Sequence, residues 1–461
     1  MATNTDQHPG ILALQERFGE RCTTSPTVIA SHGTVESYHD DMPPDAVLFV
    51  RSTEEVSDAL GLCSAHRLPV IPFGAGSSLE GHTLSPHGGV SLDLSEMTRI
   101  VEIRPHDLDV TVEAGVTHPL LNEHLGPQGL FFPVDPGAPA TLGGMAATRA
   151  SGTTAVGYGT MRDATRALTV VLPDGQIIRT GSRAPKSSAG YDLTQLFVGS
   201  EGTLGVITEL NLRVHGIPEV IAAAVVAFPE LAGAVDTVTA LRQLAIPVAR
   251  VELLAHNQMA AAMAFSELED MEVADTLFLE FHGSQVAVED SARAVEELAV
   301  AHGGRGFQWA TQQEDRERLW TARHQVMYAN KAARPGCRIV ASDVCVPISE
   351  LTEAILTAER ELTELRVMGN IVGHVGDGNF HIGYLLDPED PEEAERVAEH
   401  HRRMIERAIA VGGTCTGEHG IGLGKRAFLE AEHGPGAVAA MRRIKDAFDP
   451  LGIMNPGKLL P

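Results

Sequence analysis

The sequence predicts an α+β protein of two or three domains, and three observations predict it. At 461 residues the chain is longer than one ordinary domain. A β-α-β unit with its own helix-start signal follows Ala46 and opens a series of short strands. From about Val220 the character changes, and alanine-rich helices alternate with short strands.

In order along the chain, "AVLFV" from Ala46 and "LPVIPF" from Leu68 read as buried strands. Between them Ser52, with Glu55 three residues on, marks a helix start of the capping-box kind. The second strand runs straight into "GAGSSLEGHT". More strands follow in "GGVSLDLS", "IVEIRP", "DVTVEAG" and "ALTVVLPDGQIIRTG", the last with a hairpin signal at Asp174-Gly175. "PEEAERVAEHHRRMIERAIAVGG" is a helix with acids in its first turns, cations toward its end and a stop at Gly412.

A hydrophobic fraction of 43% with 21% charged residues is that of a globular protein with real cores. The 35 basic against 61 acidic side chains leave a net charge of −26, which repels nucleic acid and anionic membrane. The N-terminus shows no signal-peptide pattern. The longest apolar run, "VIAAAVVAF" from Val220, is far shorter than the roughly 20 residues of a membrane span. Five cysteines (22, 63, 337, 345, 415) without a C-x-x-C pair suit a reducing cytoplasm and predict no structural disulfide.

Two histidines, His374 and His381, bracket "HVGDGNFH". The glycines argue against a helix, and a single straight strand would send the two rings to opposite faces. A hairpin centred on Asp377-Gly378 uses both, pairing His381 with His374 across two strands with Cβ atoms roughly 5 Å apart. That spacing suits two ligands of one divalent cation, and equally a surface hairpin with incidental histidines.

Glycine is concentrated in three segments: Gly74–Gly81, the stretch from Pro133, "PVDPGAPATLGGMAATRASGTTAVGYGTMRD", and "GSEGTLGVIT" from Gly199. Glycines at 74, 76 and 81 do not match the nicotinamide-binding G-x-G-x-x-G turn. Phe73–Thr83 contains no lysine or arginine, so an anion bound there would be held by main-chain N–H groups. Tight turns between strands are the plain alternative.

"PFGAGSSLEG", "PVDPG..TLGGM.AT..SG", "YGTMRD" and "GSEGTLGVIT" resemble, in order and spacing, the flavin-binding domain of the vanillyl-alcohol oxidase type. The tail "FDPLGIMNPGKLLP" is similar to the closing signature of the flavin-linked oxidase branch. "RPGCRIVASDVCVPISEL", "GHVGDGNFHIGYLL" and "GTCTGEHGIGLGKR" resemble the FAD-dependent D-lactate dehydrogenase family. The resemblance runs from about Ala46 to Pro461 and implies two α+β subdomains around FAD plus an α+β cap over the flavin. The division it implies is an N-terminal helical segment at 1–45, the FAD-binding domain at 46–218, the cap at 219–415, and a return to the FAD domain at 416–461.

The resemblance also implies a cofactor site. Phe73, Gly74, Ala75, Gly76, Ser77 and Ser78 would lie along the pyrophosphate. Pro133, Asp135, Pro136, Thr141, Gly143, Gly144, Ala147, Ser151, Gly152, Tyr158 and Gly159, with Glu201, Gly202, Gly205, Val206 and Ile207, would line the ribityl chain and ring, and Asn455 would join them. Ser77 stands where some relatives attach FAD through a histidine, so the implied attachment is non-covalent, with His82 close by. Arg149 replaces the small residues of many relatives, and either puts a cation near the flavin or points outward.

A carboxylate, Glu418 in "CTGEHGIG", completes a His2Glu set of the kind found in catalytic metal sites, here zinc or manganese. Cys415 is an alternative soft ligand, although a buried thiol reads as inert. The resemblance assigns the neighbouring His419 as general base and places Arg323 on the substrate carboxylate, with Trp320, His374 and His381 also facing substrate. Trp320 and Arg323 lie three apart on one helix face. An arginine fork holds a carboxylate at two points, whereas periodicity alone would read Arg323 as a solvated surface cation.

The implied reaction oxidises D-lactate to pyruvate. The cation holds the carboxylate and 2-hydroxyl oxygens, His419 takes the hydroxyl proton, and hydride passes to FAD. D-2-hydroxyglutarate and glycolate are the alternative substrates, the former needing a further cation, for which Lys331, Arg334 and Arg338 are near in sequence. The acceptor, a cytochrome, a quinone or an electron-transfer flavoprotein, and a homodimer stay open, as does a peripheral membrane location through the acceptor. A flavin-free metallohydrolase would leave the glycine segments unexplained. A carrier without chemistry would have no use for His419.

Overall fold

The computed structural model describes residues 7–35, 37–266 and 271–461. Parts of the expected N-terminal segment (1–6 and 36) and of the expected cap (267–270) lie outside them. The chain divides into two compact units. The first comprises the described residues up to Ser151 with Gly159–Ile217 and Glu418–Pro461, and the second Gly152–Tyr158 with Pro218–Gly417. Compared with the division read from the sequence, the residues before Ala46 belong to the first unit rather than standing apart, and the stretch 152–158 belongs to the second.

The first unit opens with β1 (Ala46–Phe49), α1 (Thr53–His66), β2 (Val70–Phe73) and β3 (Val90–Asp93). These strands are parallel, with β3 between the other two, and Cys22–Thr23 adds an antiparallel edge to β1. Strands buried on both faces need apolar residues at successive positions, hence the unbroken "AVLF". The Ser52 hydroxyl accepts from the Glu55 N–H at 3.3 Å, so the helix starts where expected. The box closes only on that side. Arg21 holds the Glu55 carboxylate at 2.6 and 2.7 Å, and it accepts from the Arg51 N–H rather than that of Ser52.

A five-stranded antiparallel sheet follows. It is built from β4 (Ile100–Arg104), β5 (Asp109–Glu113), β6 (Thr165–Val171), β7 (Ile177–Arg179) and β8 (Val206–Arg213), in the order β4-β5-β8-β6-β7. Helix α2 (Leu142–Thr148) comes between β5 and β6 in the chain. The Asp174-Gly175 turn is present, with Gly175 in the left-handed region at φ +88° and a bond from the Leu172 N–H to the Gln176 carbonyl. One apolar core runs from Ile11, Leu14 and Phe18 through Leu48, Leu60 and Val90 to Val110, Leu168 and Leu210.

The second unit is an eight-stranded antiparallel sheet covered by helices. Its strands include β9 (Val220–Phe228), β10 (Arg250–Leu254), β11 (Asp275–Gly283), β12 (Arg305–Ala310), β13 (Arg338–Ala341), β14 (Gly369–His374) and β15 (Asn379–Leu386). They run in the order β12-β9-β11-β10-β14-β15-β13, and Val344–Cys345 pairs with β15. The apolar run from Val220 is β9, paired on both sides. Among the described residues no helix is long and apolar enough to cross a membrane. No disulfide joins the five cysteines. Helix α3 (Gln313–His324) carries Trp320 and Arg323, and α4 (Pro391–Ala410) is capped by Asp390, with Gly412 at φ +81° beyond its end.

The histidine hairpin forms in a different register. His374 pairs with Asn379, and His381 with Val372. Val375–Asp377 make a 3-10 turn closed by Gly378 at φ +80°. A two-residue turn would have required the left-handed region at Asp377 as well, and the longer turn confines it to glycine. The slip is two residues, so parity is preserved and both histidines still share one sheet face.

Candidate functional site

In the first unit the glycine segments are packed together. The first leaves the C-terminal end of β2, and Gly74 lies so close to the Thr141 hydroxyl that a Cβ there would overlap it. Thr141 is the N-cap of α2, its hydroxyl accepting from the Gly144 N–H. The third segment is tied to the second by bonds from the Gly199 N–H to the Ala146 carbonyl (2.9 Å) and from the Glu201 N–H to the Ala147 carbonyl (2.8 Å). Arg149 ends α2 at φ +56° and donates to the Val198 carbonyl at 3.0 Å. Neither of its two readings anticipated this bond, by which the guanidinium ties the second segment to the residue just before the third. The Ser78 hydroxyl, in a loop without a cation, is buried with no hydrogen-bond partner. Small residues, main-chain donors and an orphaned hydroxyl fit an anionic cofactor.

Glu201 and Asn455, expected at the cofactor, turn their polar atoms to the protein. The Glu201 carboxylate accepts from the Ile421 and Gly422 N–H groups at 2.7 and 2.9 Å and lies 3.3 Å from His82 Nε2. Burial pushes its pKa up, but His82 and the two N–H donors outweigh that and hold it below the ordinary range. The Asn455 amide donates to the Glu201 and His82 carbonyls at 2.7 and 3.1 Å. His82 is thereby part of this buried network. The turn that follows His419 is thus pinned by a carboxylate, and Gly420, at φ +81°, supplies the reversal. Ser151 donates to Glu418 Oε2 at 2.6 Å.

In the second unit, register decides which side chains meet. Arg250 pairs with Glu280, Leu254 with Val372, and Val372 with His381. Paired residues share a face and alternate ones return to it. One face therefore carries His282, Glu280, Arg250, Glu252, His374 and His381. The His374 and His381 ring centroids are 5.3 Å apart. Helix α3 covers this face, with Trp320 against Phe278 at 6.0 Å and under Arg250 at 5.5 Å.

Glu252 is fully buried and bridges two of these groups. Its Oε1 lies 2.6 Å from His374 Nδ1, and its Oε2 accepts from Arg323 Nε and Nη2 at 2.8 and 2.7 Å. Burial alone would raise its pKa, but His374 and Arg323 hold it below the ordinary carboxylate range. His381 Nδ1 lies 3.1 Å from the Ser342 carbonyl. Asp343 accepts from the Asn379 amide at 2.7 Å and the Thr416 hydroxyl at 2.6 Å, and Gly417 packs against that same amide. Further along, His282 bridges Glu280 and the Tyr158 hydroxyl at 2.7 and 2.6 Å, so the Tyr158 hydroxyl, expected at the cofactor, is engaged inside the second unit.

Of the three cations near α3, Arg334 is spent on Glu393 and the Leu385 carbonyl, while Lys331 and Arg338 are exposed. Cys415 is fully buried, as an inert thiol would be. Sequence reasoning missed Glu252, Glu280, His282 and Asp343. A signal existed for the first three: "RVELL" and "FLEFHG" set charged residues two apart in apolar strands, which puts them on one face.

The model of the C-terminal domain of FAD-linked oxidases matches residues 217–459, and that of an FAD-binding domain matches 44–181. A Danio rerio protein named "Probable D-lactate dehydrogenase, mitochondrial" is 49% identical over 96% of this chain and 89% of its own. The Arabidopsis thaliana "D-lactate dehydrogenase [cytochrome], mitochondrial" is 45% identical over 91% of this chain and 74% of its own. The solved structure of p-cresol methylhydroxylase with substrate bound superposes with TM-score 0.82 at 20% identity, covering 97% of this chain and 96% of that one. Both relatives are named as mitochondrial, which goes against the cytoplasmic address expected from the cysteines. Unpaired thiols report a reducing surrounding, not which compartment supplies it. With its matched domains and relatives, and with the fold of p-cresol methylhydroxylase, the chain belongs to the FAD-linked oxidase family, as an FAD-dependent oxidoreductase.

Proposed function

We propose that this protein is a D-lactate dehydrogenase that oxidises the D-2-hydroxy acid to pyruvate on non-covalent FAD and passes the electrons to a separate acceptor. One divalent cation, zinc or manganese, belongs to His374, His381 and Glu418. The relatives' names support the substrate. The observation that carries the metal is the histidine pair: Glu252 and the Ser342 carbonyl engage the two Nδ1 atoms, so both rings are set to coordinate through Nε2. A ligand nitrogen of one ring lies within 4.8 Å of one on the other.

When bound, FAD supplies the hydride acceptor and the cation a Lewis acid. The protein's residues do the rest. Arg323 binds the carboxylate through its Nη1/Nη2 edge, because its Nε/Nη2 edge lies on Glu252. His419 takes the 2-hydroxyl proton as the Cα hydrogen departs with its electron pair. Ser151 orients the Glu418 carboxylate. The engagement of Arg334 by Glu393 favours a small monocarboxylate over hydroxyglutarate. Anaerobic D-lactate should bleach the yellow protein in a stopped-flow experiment. Reduction by glycolate or D-2-hydroxyglutarate with none by D-lactate would overturn the assignment.

A further inference from the structure

We infer that Glu252 is a positioning residue that serves the metal and the substrate carboxylate at once, by fixing the protonation pattern of His374 and the exposed edge of Arg323. The inference rests on the function proposed above and deepens it.

The argument begins with hydrogen-bond roles. A carboxylate only accepts, so His374 Nδ1 at 2.6 Å from Glu252 Oε1 must carry the proton. In the neutral ring this tautomer leaves the lone pair on Nε2, which is the form a metal needs. The other oxygen takes Nε and Nη2 of Arg323. A guanidinium has two two-donor edges, and occupying the side edge leaves the end edge for a second carboxylate. One buried anion therefore turns the Nε2 of a ligand histidine outward and sets a cationic clamp beside it. It also offsets the arginine charge, so a bound carboxylate meets an oriented fork rather than an uncompensated buried cation.

The register explains why a single residue reaches both. Glu252 lies on β10 beside β14, level with His374 since Leu253 pairs with Gly373, and α3 lies over the same face. Neighbours on that strand cannot substitute: Val251 and Leu253 face the other way, and Arg250 pairs with Glu280.

The test is Glu252→Gln, nearly the same shape but able to present an N–H where an oxygen was. Deflavinated and metal-stripped protein is reloaded with FAD, then titrated with Mn2+ or Zn2+ by equilibrium dialysis. Affinity should fall roughly 10- to 100-fold, the usual effect of losing a carboxylate behind a ligand histidine. KM for D-lactate should rise as well. Arg323→Met should raise KM while leaving metal affinity within about twofold, which separates a positioning role from general loosening of the unit. Glu252→Asp keeps the charge but is too short to reach both partners. It should therefore lose part of the metal affinity, and it provides the measurement if the glutamine variant does not fold. Wild-type metal affinity in both Glu252 variants would overturn the role of Glu252 alone. A wild-type protein that takes up no divalent cation would overturn the metal reading as well, so the two failures are distinguishable.

Discussion

Replacing Gly74 with alanine would put a methyl group against the Thr141 hydroxyl, well inside van der Waals contact. The glycine does not occupy the left-handed region, so contact alone decides the effect. Overpacking of this kind costs about 1–3 kcal/mol. Thr141 cannot turn away without giving up the N-cap of α2, itself worth about 1 kcal/mol. The first glycine segment must then shift, and FAD affinity should fall roughly 5- to 150-fold. In Thr141→Ala the hydroxyl is gone and the remaining Cβ stands 3.4 Å from the new methyl, an ordinary contact. Gly74→Ala/Thr141→Ala should therefore bind FAD about as well as Thr141→Ala alone, with a coupling of about 1–3 kcal/mol in the double-mutant cycle. Titration of the deflavinated variants with FAD, followed by flavin fluorescence, measures all three. Additive losses, or an unaffected Gly74→Ala, would refute the close approach as the reason for this glycine.

Three further outcomes follow from the site. His419→Ala should keep FAD yet slow anaerobic flavin reduction roughly 10²- to 10⁴-fold, and an unchanged rate removes it as base. Arg323→Lys keeps the charge without the fork, so kcat/KM should fall roughly 10- to 150-fold for every 2-hydroxy acid tested; a loss confined to hydroxyglutarate would place Arg323 at a distal carboxylate. Burial pushes the Lys458 amine down from 10.5 to about 7. Between those values the unfolded chain binds the extra proton, so the Lys458 contribution to stability should grow as pH rises from about 7 toward 10 and be absent from Lys458→Met. Urea midpoints of the two proteins at pH 6.5 and 9.5 measure it, and parallel pH dependence counts against the shift.

Much of the fold was written in local signals. Ser52 starts α1, Asp174-Gly175 turns a hairpin, and Gly412 stops α4, because each depends on residues a few positions apart. The histidine pair was legible for a subtler reason. The register read from the sequence was two residues out, but strand side chains alternate with period two, so the shared face survived the error. The run at Val220 carried no period to separate strand from helix, and its pairing on both sides decided the matter.

By itself the sequence determined that a glycine-rich, cation-free loop follows a buried strand, and that two histidines share a sheet face. Tertiary structure alone decided what holds them. Glu252 lies 122 residues before His374 and 71 before Arg323, and Glu201 lies 220 before Ile421. No local spacing encodes such partners. They come together because strand order and register put them there, and a buried carboxylate persists only where its acceptor atoms are met by donors.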